Sequence, residues 1–254
     1  MDMATVTLGG TPLARIGLGT NRLTNTRENI AFVREAVATG IGLIDTAHTY
    51  TRGESEQAIG AALSSAPDGC LVATKGGYRS GRPEVLSAEI DESLRRLRTD
   101  SIDLYYLHKP DPEIPLEESL GVIKQYRDRG AIQHVGVSNM SVEQIERARE
   151  VVPVAAAQNH YNLSERTSGE VVDYCAANDI VFVPYFPLRA EGGPPVAEIA
   201  KRHGATPAQI ALAWLLRRSP VTLPIPGTLS PEHLKENVGA AEIELTDEEF
   251  EALR

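Results

Sequence analysis

Short apolar runs alternate with stretches of helical periodicity along almost the whole chain. Strands are predicted over 16–19, 42–45, 70–75, 102–108, 132–138, 154–159, 180–185 and 221–225. Each is followed by a stretch whose apolar residues recur three and four positions apart. Those stretches predict helices over 28–39, 54–65, 83–97, 116–129, 142–151, 168–178, a broken 196–217, and 231–241. A short terminal helix is expected over 247–253, with Thr246 in position to cap it. Ahead of this series, residues 4–8 and 12–16 flank Gly9-Gly10, a hairpin signal. Eight strand–helix pairs predict an α/β chain folded as a (β/α)8 TIM barrel, with the N-terminal β-hairpin plugging one end. The strands are apolar throughout, as where both faces are buried. A doubly wound sheet is the alternative fold. Against it, Gly17-Leu18-Gly19 lacks the third glycine of GxGxxG, and no other strand–helix turn supplies that pattern.

Composition narrows the function classes. A chain of 254 residues, 42% hydrophobic, can bury one sizeable core, and no linker or low-complexity segment divides it, so 1–254 reads as a single barrel domain. The net charge of −10 repels nucleic acid and anionic membranes, so neither is an expected partner. Cys70 and Cys175 sit in unrelated segments without CxxC spacing, which suits a reduced, cytoplasmic protein. The start MDMATVTL has no basic or apolar region of a signal peptide, and no apolar run approaches the ~20 residues of a membrane helix. The six histidines form no HxH pair at a strand end, so a metal-dependent barrel hydrolase is disfavoured and no metal ligand is predicted.

The candidate chemistry lies at the strand ends. The second strand stops on Asp45, with Tyr50 in the loop behind it. The third ends on Lys75 and the fourth on His108. The fifth ends in Ser138-Asn139, the sixth in Gln158-Asn159 and the seventh at Tyr185. Barrel strand ends converge on one face, so these groups share a pocket. Taken singly, each has an ordinary structural role: Asp as a turn residue, Lys projecting to water, His satisfied in a loop. An acid, a base and an imidazole ending three successive strands make a functional reading the better one.

In this order and on these elements, Asp45, Tyr50, Lys75 and His108 resemble the catalytic tetrad of the aldo-keto reductases. The surrounding words LIDTAHTY, ATKGGY, IDLYYLHKPDP, VGVSNMS, AQNHYNL and IPGTLSPEHLKENVGA are similar to that family too, from Gly17 to Glu249. The resemblance implies an enzyme that passes hydride between NADP(H) and a carbonyl or alcohol, with a small-molecule carbonyl substrate and a monomeric or weakly oligomeric state. Tyr50 would give the proton to the developing alkoxide. A lysine about 4 Å away favours the phenolate by about 4 kcal/mol at an effective dielectric near 20, and desolvation of the phenolate opposes it; the net is expected to bring Tyr50 closer to working pH. Asp45 would keep Lys75 charged and placed, and neutral His108 would orient the substrate oxygen. The alternative within the family is a non-catalytic NADP(H)-binding regulatory subunit.

The resemblance also implies a cofactor site. Ser138, Asn139 and Gln158 would hold the carboxamide and Tyr185 would stack on the nicotinamide. Thr228, Glu236 and Asn237 would reach the adenosine end, and Gly19, Thr20, Asn21 and Pro226 would complete the wall. Ser230-Pro231 opens a helix whose N-terminus suits phosphate. Many relatives carry lysine and arginine at Gly227 and His233, where the 2′-phosphate is met. The resemblance as a whole implies NADP(H) as cofactor, and the departures at Gly227 and His233 leave NAD(H) possible.

Overall fold

The computed structural model describes residues 5–63, 69–189 and 193–253. Ala4 of the first predicted strand and the last two residues of the helix expected over 54–65 lie outside them. Strands β1 (Thr5–Leu8) and β2 (Thr11–Ala14) pair antiparallel across Gly9 and Gly10, both at positive φ. Alternation puts Val6, Leu8 and Leu13 on one face, where they join Leu43, Leu104, Tyr106 and Val181 inside the barrel. A Cβ at Gly42, just before the second barrel strand, would come within 2.1 Å of Ala14 O. The hairpin therefore seals the N-terminal end of the strands, as the hydrophobic pattern predicts, and leaves the opposite face open.

Seven parallel strands follow in sequence order: β3 (Leu18–Gly19), β4 (Leu43–Asp45), β5 (Leu71–Gly76), β6 (Ile102–Leu107), β7 (Ile132–Ser138), β8 (Val154–Gln158) and β9 (Val181–Phe182). The eighth predicted strand is present as an extended segment without a regular ladder. On one side, Phe182 N donates to Val221 O at 2.9 Å and Leu223 N to Phe182 O at 2.8 Å. On the other, Gly17 N donates to Pro224 O at 2.9 Å and Gly19 N to Pro226 O at 3.1 Å. Pro224 and Pro226 have no N–H to return, so the bonds described across this last seam are donated by Gly17 and Gly19. The bonds still join the segment to both edge strands, and a (β/α)8 barrel results. Pro184 likewise cuts the strand expected over 180–185 to Val181–Phe182.

The helices are α1 (Arg27–Ala38), α2 (Glu54–Ala62), α3 (Pro83–Leu97), α4 (Leu116–Asp128), α5 (Val142–Val151), α6 (Gly169–Ala177), α7 (Gly193–His203), α8 (Pro207–Arg218), α9 (Pro231–Gly239) and α10 (Asp247–Ala252). The predicted break within 196–217 falls between α7 and α8. Gly204 turns the chain at φ 61°, and Thr206 starts α8 through a capping box with Gln209. Thr246 caps α10 in the same way with Glu249. The helices bury their apolar stripes against the outer face of the sheet, with Trp214 of α8 at 1% exposure. Among the described residues, no helix is long and apolar enough to cross a membrane.

Candidate active site

A cavity of about 820 Å³ opens at the carboxyl ends of the strands. Of the residues singled out in the sequence, Gly19, Thr20, Asn21, Asp45, Tyr50, His108, Ser138, Asn139, Gln158, Tyr185 and Gly227 line it. Lys75 lies fully buried beneath that wall rather than in it. Pro226, Thr228, His233, Glu236 and Asn237 are not part of this wall. They belong to the segment entering α9, where Ser230 Oγ caps the helix by accepting from His233 N at 3.3 Å. Sequence reasoning did not name eight of the wall residues, among them Arg22, Tyr78, Lys109 and Phe186. Each of these four directly follows or closely trails a strand end, and that position was the available signal.

The floor of the site is one ion pair. Lys75 Nζ donates to Asp45 Oδ1 at 2.6 Å and to Thr46 O at 2.7 Å. Gln158 Nε2 donates to Asp45 Oδ2 at 2.8 Å, so both carboxylate oxygens are satisfied. Lys75 is 0% exposed and Asp45 1%. Burial opposes the ammonium, but Asp45 and Tyr50 outweigh it and hold the Lys75 pKa above its usual value.

Tyr50 begins a tight, kinked turn, Tyr50–Gly53, in the loop between β4 and α2. The preceding loop is stitched to β5 by His48 N donating to Lys75 O at 2.9 Å. The turn stores strain: Thr51 and Arg52 hold φ of 47° and 57°. Arg96 of α3 clamps it from below. Arg96 Nη1 donates to His48 O at 3.0 Å and pairs with Glu56 Oε2 at 3.2 Å, where the Glu56 side chain is 0% exposed. Arg96→Met would leave the Glu56 carboxylate buried and unpaired. We expect a loss of about 3 kcal/mol or more in urea unfolding. Wild-type stability in this variant would contradict the clamp.

The Lys75 ammonium lies 5.0 Å from the centroid of the Tyr50 ring, and His108 meets that ring edge-on at 6.1 Å between centroids. Burial is the larger influence on Tyr50, ahead of the opposing pull of Lys75, so its pKa is raised. That corrects the expectation that Lys75 brings the phenol toward working pH. The phenol is thus held protonated at neutral pH. His108 is pushed down to about 3 by burial first, then by Lys75 and Lys109, so its imidazole is neutral at working pH. Its Nδ1 is buried without a partner.

His108 gives a pH signature for stability. Unfolded, it takes a proton below about 6.5, whereas folded it stays neutral down to its depressed value. Its contribution is thus fully present above about pH 6.5 and is lost as pH falls from there toward 3. Urea unfolding between pH 7 and 4 should show a steeper loss in wild type than in His108→Gln. The difference should be on the order of 1 kcal/mol per pH unit. Equal slopes would contradict a buried neutral imidazole.

The opposite wall is a linked set of amides and hydroxyls. Asn139, at φ 60°, donates from Nδ2 to His108 O and Ser138 Oγ, both at 3.0 Å. Its Oδ1 accepts from Tyr185 OH at 2.9 Å. The Tyr185 ring stacks on His160 at 5.1 Å with 5° between planes. Among the described residues, no three His, Cys, Asp or Glu side chains cluster as a metal site.

Fold and cavity place the protein among the (β/α)8 barrels that bind ligands at the carboxyl ends of their strands. More narrowly, the chain matches the family model described as "Aldo/keto reductase family" over residues 15–193 and 189–254, and it belongs to that family of oxidoreductases. It is 34% identical to pyridoxine 4-dehydrogenase of Escherichia coli (strain K12), covering 100% of this chain and 98% of that protein. It is 36% identical to an uncharacterized oxidoreductase of Schizosaccharomyces pombe, covering 98% and 88%. Among solved structures it is similar to the thermostable aldo-keto reductase Tm1743 in complex with the inhibitor epalrestat (TM-score 0.91, 33% identity, 98% of each chain). It is also similar to an aldo-keto reductase of Klebsiella pneumoniae in complex with NADPH (TM-score 0.90, 29% identity, 100% and 94%).

Proposed function

We propose that the protein reduces aldehyde and ketone carbonyls to alcohols, reversibly, with a nicotinamide cofactor, NADP(H) in preference to NAD(H). The observation that carries this reading is the buried Asp45–Lys75 pair lying beneath Tyr50, with Tyr50 and His108 facing one cavity. The described residues suit a dinucleotide. Ser138, Asn139 and Gln158 offer amide and hydroxyl partners for a carboxamide, and Tyr185 offers a ring face. Asn237 Nδ2 is buried without an acceptor on the segment matched to the adenosine end. The NADPH complex of the Klebsiella relative supports the same assignment.

When bound, the cofactor supplies the hydride. The chain's own groups do the rest. Tyr50, held protonated by burial, gives its phenolic proton to the carbonyl oxygen as charge develops there. Lys75 stabilises the phenolate left behind, and Asp45 keeps the ammonium in place. His108, neutral, orients the carbonyl oxygen by a hydrogen bond. In alcohol oxidation the same phenolate takes the proton back.

The test is the initial rate of NADPH and NADH oxidation over a panel of aldehydes, ketones, quinones and pyridoxal. Turnover of at least one carbonyl compound is expected. Tight cofactor binding with no turnover of any would instead favour a non-catalytic regulatory subunit. For cofactor choice, the segment 224–237 offers Lys235 as its only lysine or arginine, and His233 is exposed. His233→Arg should therefore raise kcat/KM for NADPH about 10-fold through an added charge-assisted contact and leave NADH nearly unchanged. Wild-type preference for NADH at both pH 6 and pH 8 would overturn the NADP(H) assignment and leave the fold intact.

A further inference from the structure

In an acidic chain the cavity is lined by three basic side chains, Arg22, Lys109 and Arg189. Its one acidic lining residue, Asp45, is held by Lys75 and Gln158. The cavity therefore presents net positive charge to a ligand. The three cations do not stand in equivalent places. Arg22 follows Asn21, and Arg189 lies on the loop after Tyr185, so both adjoin the wall assigned to the dinucleotide, whose diphosphate is itself anionic. Lys109 stands apart from that wall, next in sequence to His108. Its Nζ lies 4.8 Å from the centroid of the Tyr78 ring, and the same ring lies 4.8 Å from the His108 ring. One aromatic ring thus spans the gap between the ammonium and the imidazole. Lys109 forms no ion pair among the described residues, and its field reaches His108, where it helps to depress the imidazole.

The rim supplies a second feature. Tyr78 and Phe186 are the large apolar side chains most exposed among the described residues, at 48% and 47%, and both line the cavity. Tyr78 follows the third barrel strand and Phe186 the seventh, so they stand on opposite sides of an eight-stranded mouth. A flat apolar body fits between two such lips.

We propose that Lys109 is a specificity-determining residue that selects carbonyl substrates with a planar body and an anionic group, a carboxylate, about one ring's length from the carbonyl. The inference rests on the carbonyl-reductase reading of this site and adds the substrate class. The carbonyl oxygen lies toward Tyr50 and His108, the body between Tyr78 and Phe186, and the carboxylate on the Lys109 ammonium.

The test compares 4-formylbenzoate with its neutral methyl ester. Two readouts are taken: calorimetric Kd, with and without NADP⁺, and kcat/KM with NADPH. In wild type the carboxylate should be favoured at least about 10-fold, as for a hydrogen bond to a charged group. The preference should shrink at an ionic strength of about 0.5 M, because the contact is half exposed. Lys109→Met should bring the carboxylate-to-ester ratio near unity, and Lys109→Arg should retain most of it. An equal ratio in wild type, or a preference that survives Lys109→Met, overturns the proposal. Turnover of both compounds without discrimination removes the role of Lys109 and leaves the reductase reading standing. A Lys109-dependent binding preference with no turnover of either compound, nor of any member of the carbonyl panel, removes the reductase reading and leaves the anion site standing.

Discussion

Tyr50→Phe should lower kcat by about 10²- to 10⁴-fold, the usual contribution of a positioned proton donor. The ring is retained, so its edge-on contact with His108 and its place beside Lys75 persist. Cofactor Kd should then stay within about 2-fold of wild type, the pattern of an interaction made only in the transition state. The direction of the Tyr50 pKa sets the pH dependence. Burial holds the phenol above its ordinary value, so the protonated donor is present throughout the neutral range. Carbonyl reduction should be level in pH there and decline only above the usual phenol range. Alcohol oxidation needs the phenolate and should climb with pH over the same interval. Steady-state kinetics in both directions, with cofactor titration by fluorescence, checks each part. Near-wild-type turnover by the phenylalanine variant would remove Tyr50 from the mechanism.

Lys75→Met should be the most damaging substitution for both activity and stability. Among the described residues, Lys75 is the only cation paired with Asp45, whose second oxygen accepts from the neutral amide of Gln158. Removing the ammonium leaves a carboxylate buried without its counter-charge, which costs about 3–5 kcal/mol. Urea unfolding of wild type and variant at pH 7 reads this directly. An unchanged unfolding free energy would mean that Asp45 is relieved by some other partner. Turnover should be lost at neutral pH, since the phenolate form of Tyr50 then has no adjacent cation.

Much of this was legible in the sequence because barrel strands are short apolar runs that stop at polar residues. Asp45, Lys75, Ser138 and Gln158 each stand at or beside a strand terminus, where strand order alone brings them to one face. Thr246 could be read as a cap, since a threonine ahead of a periodic stretch has a specific backbone partner three residues on. Other features depend on tertiary context. The eighth strand reads as VTLPIP, and the alternate prolines weaken its seam in a way that a tally of apolar residues does not register. The balance of effects on Tyr50 was not legible either, because burial is a property of the assembled pocket. Sequence order could not show that Lys75 lies beneath the wall, or that Lys109 lies over Tyr78. The resemblance grouped the α9 segment with the cofactor residues; His233, Glu236 and Asn237 belong to that helix and do not line this cavity.

The central claim is that this cavity moves hydride from a nicotinamide to a carbonyl carbon while Tyr50 supplies the proton. The most direct measurement is mass spectrometry of the alcohol formed from an aldehyde with NADPH deuterated at both C4 positions, for wild type and Tyr50→Phe. The account predicts one carbon-bound deuterium in each wild-type product molecule, and a yield reduced by about 10²-fold or more in Tyr50→Phe. Product without deuterium, or an undiminished yield from the variant, would contradict it.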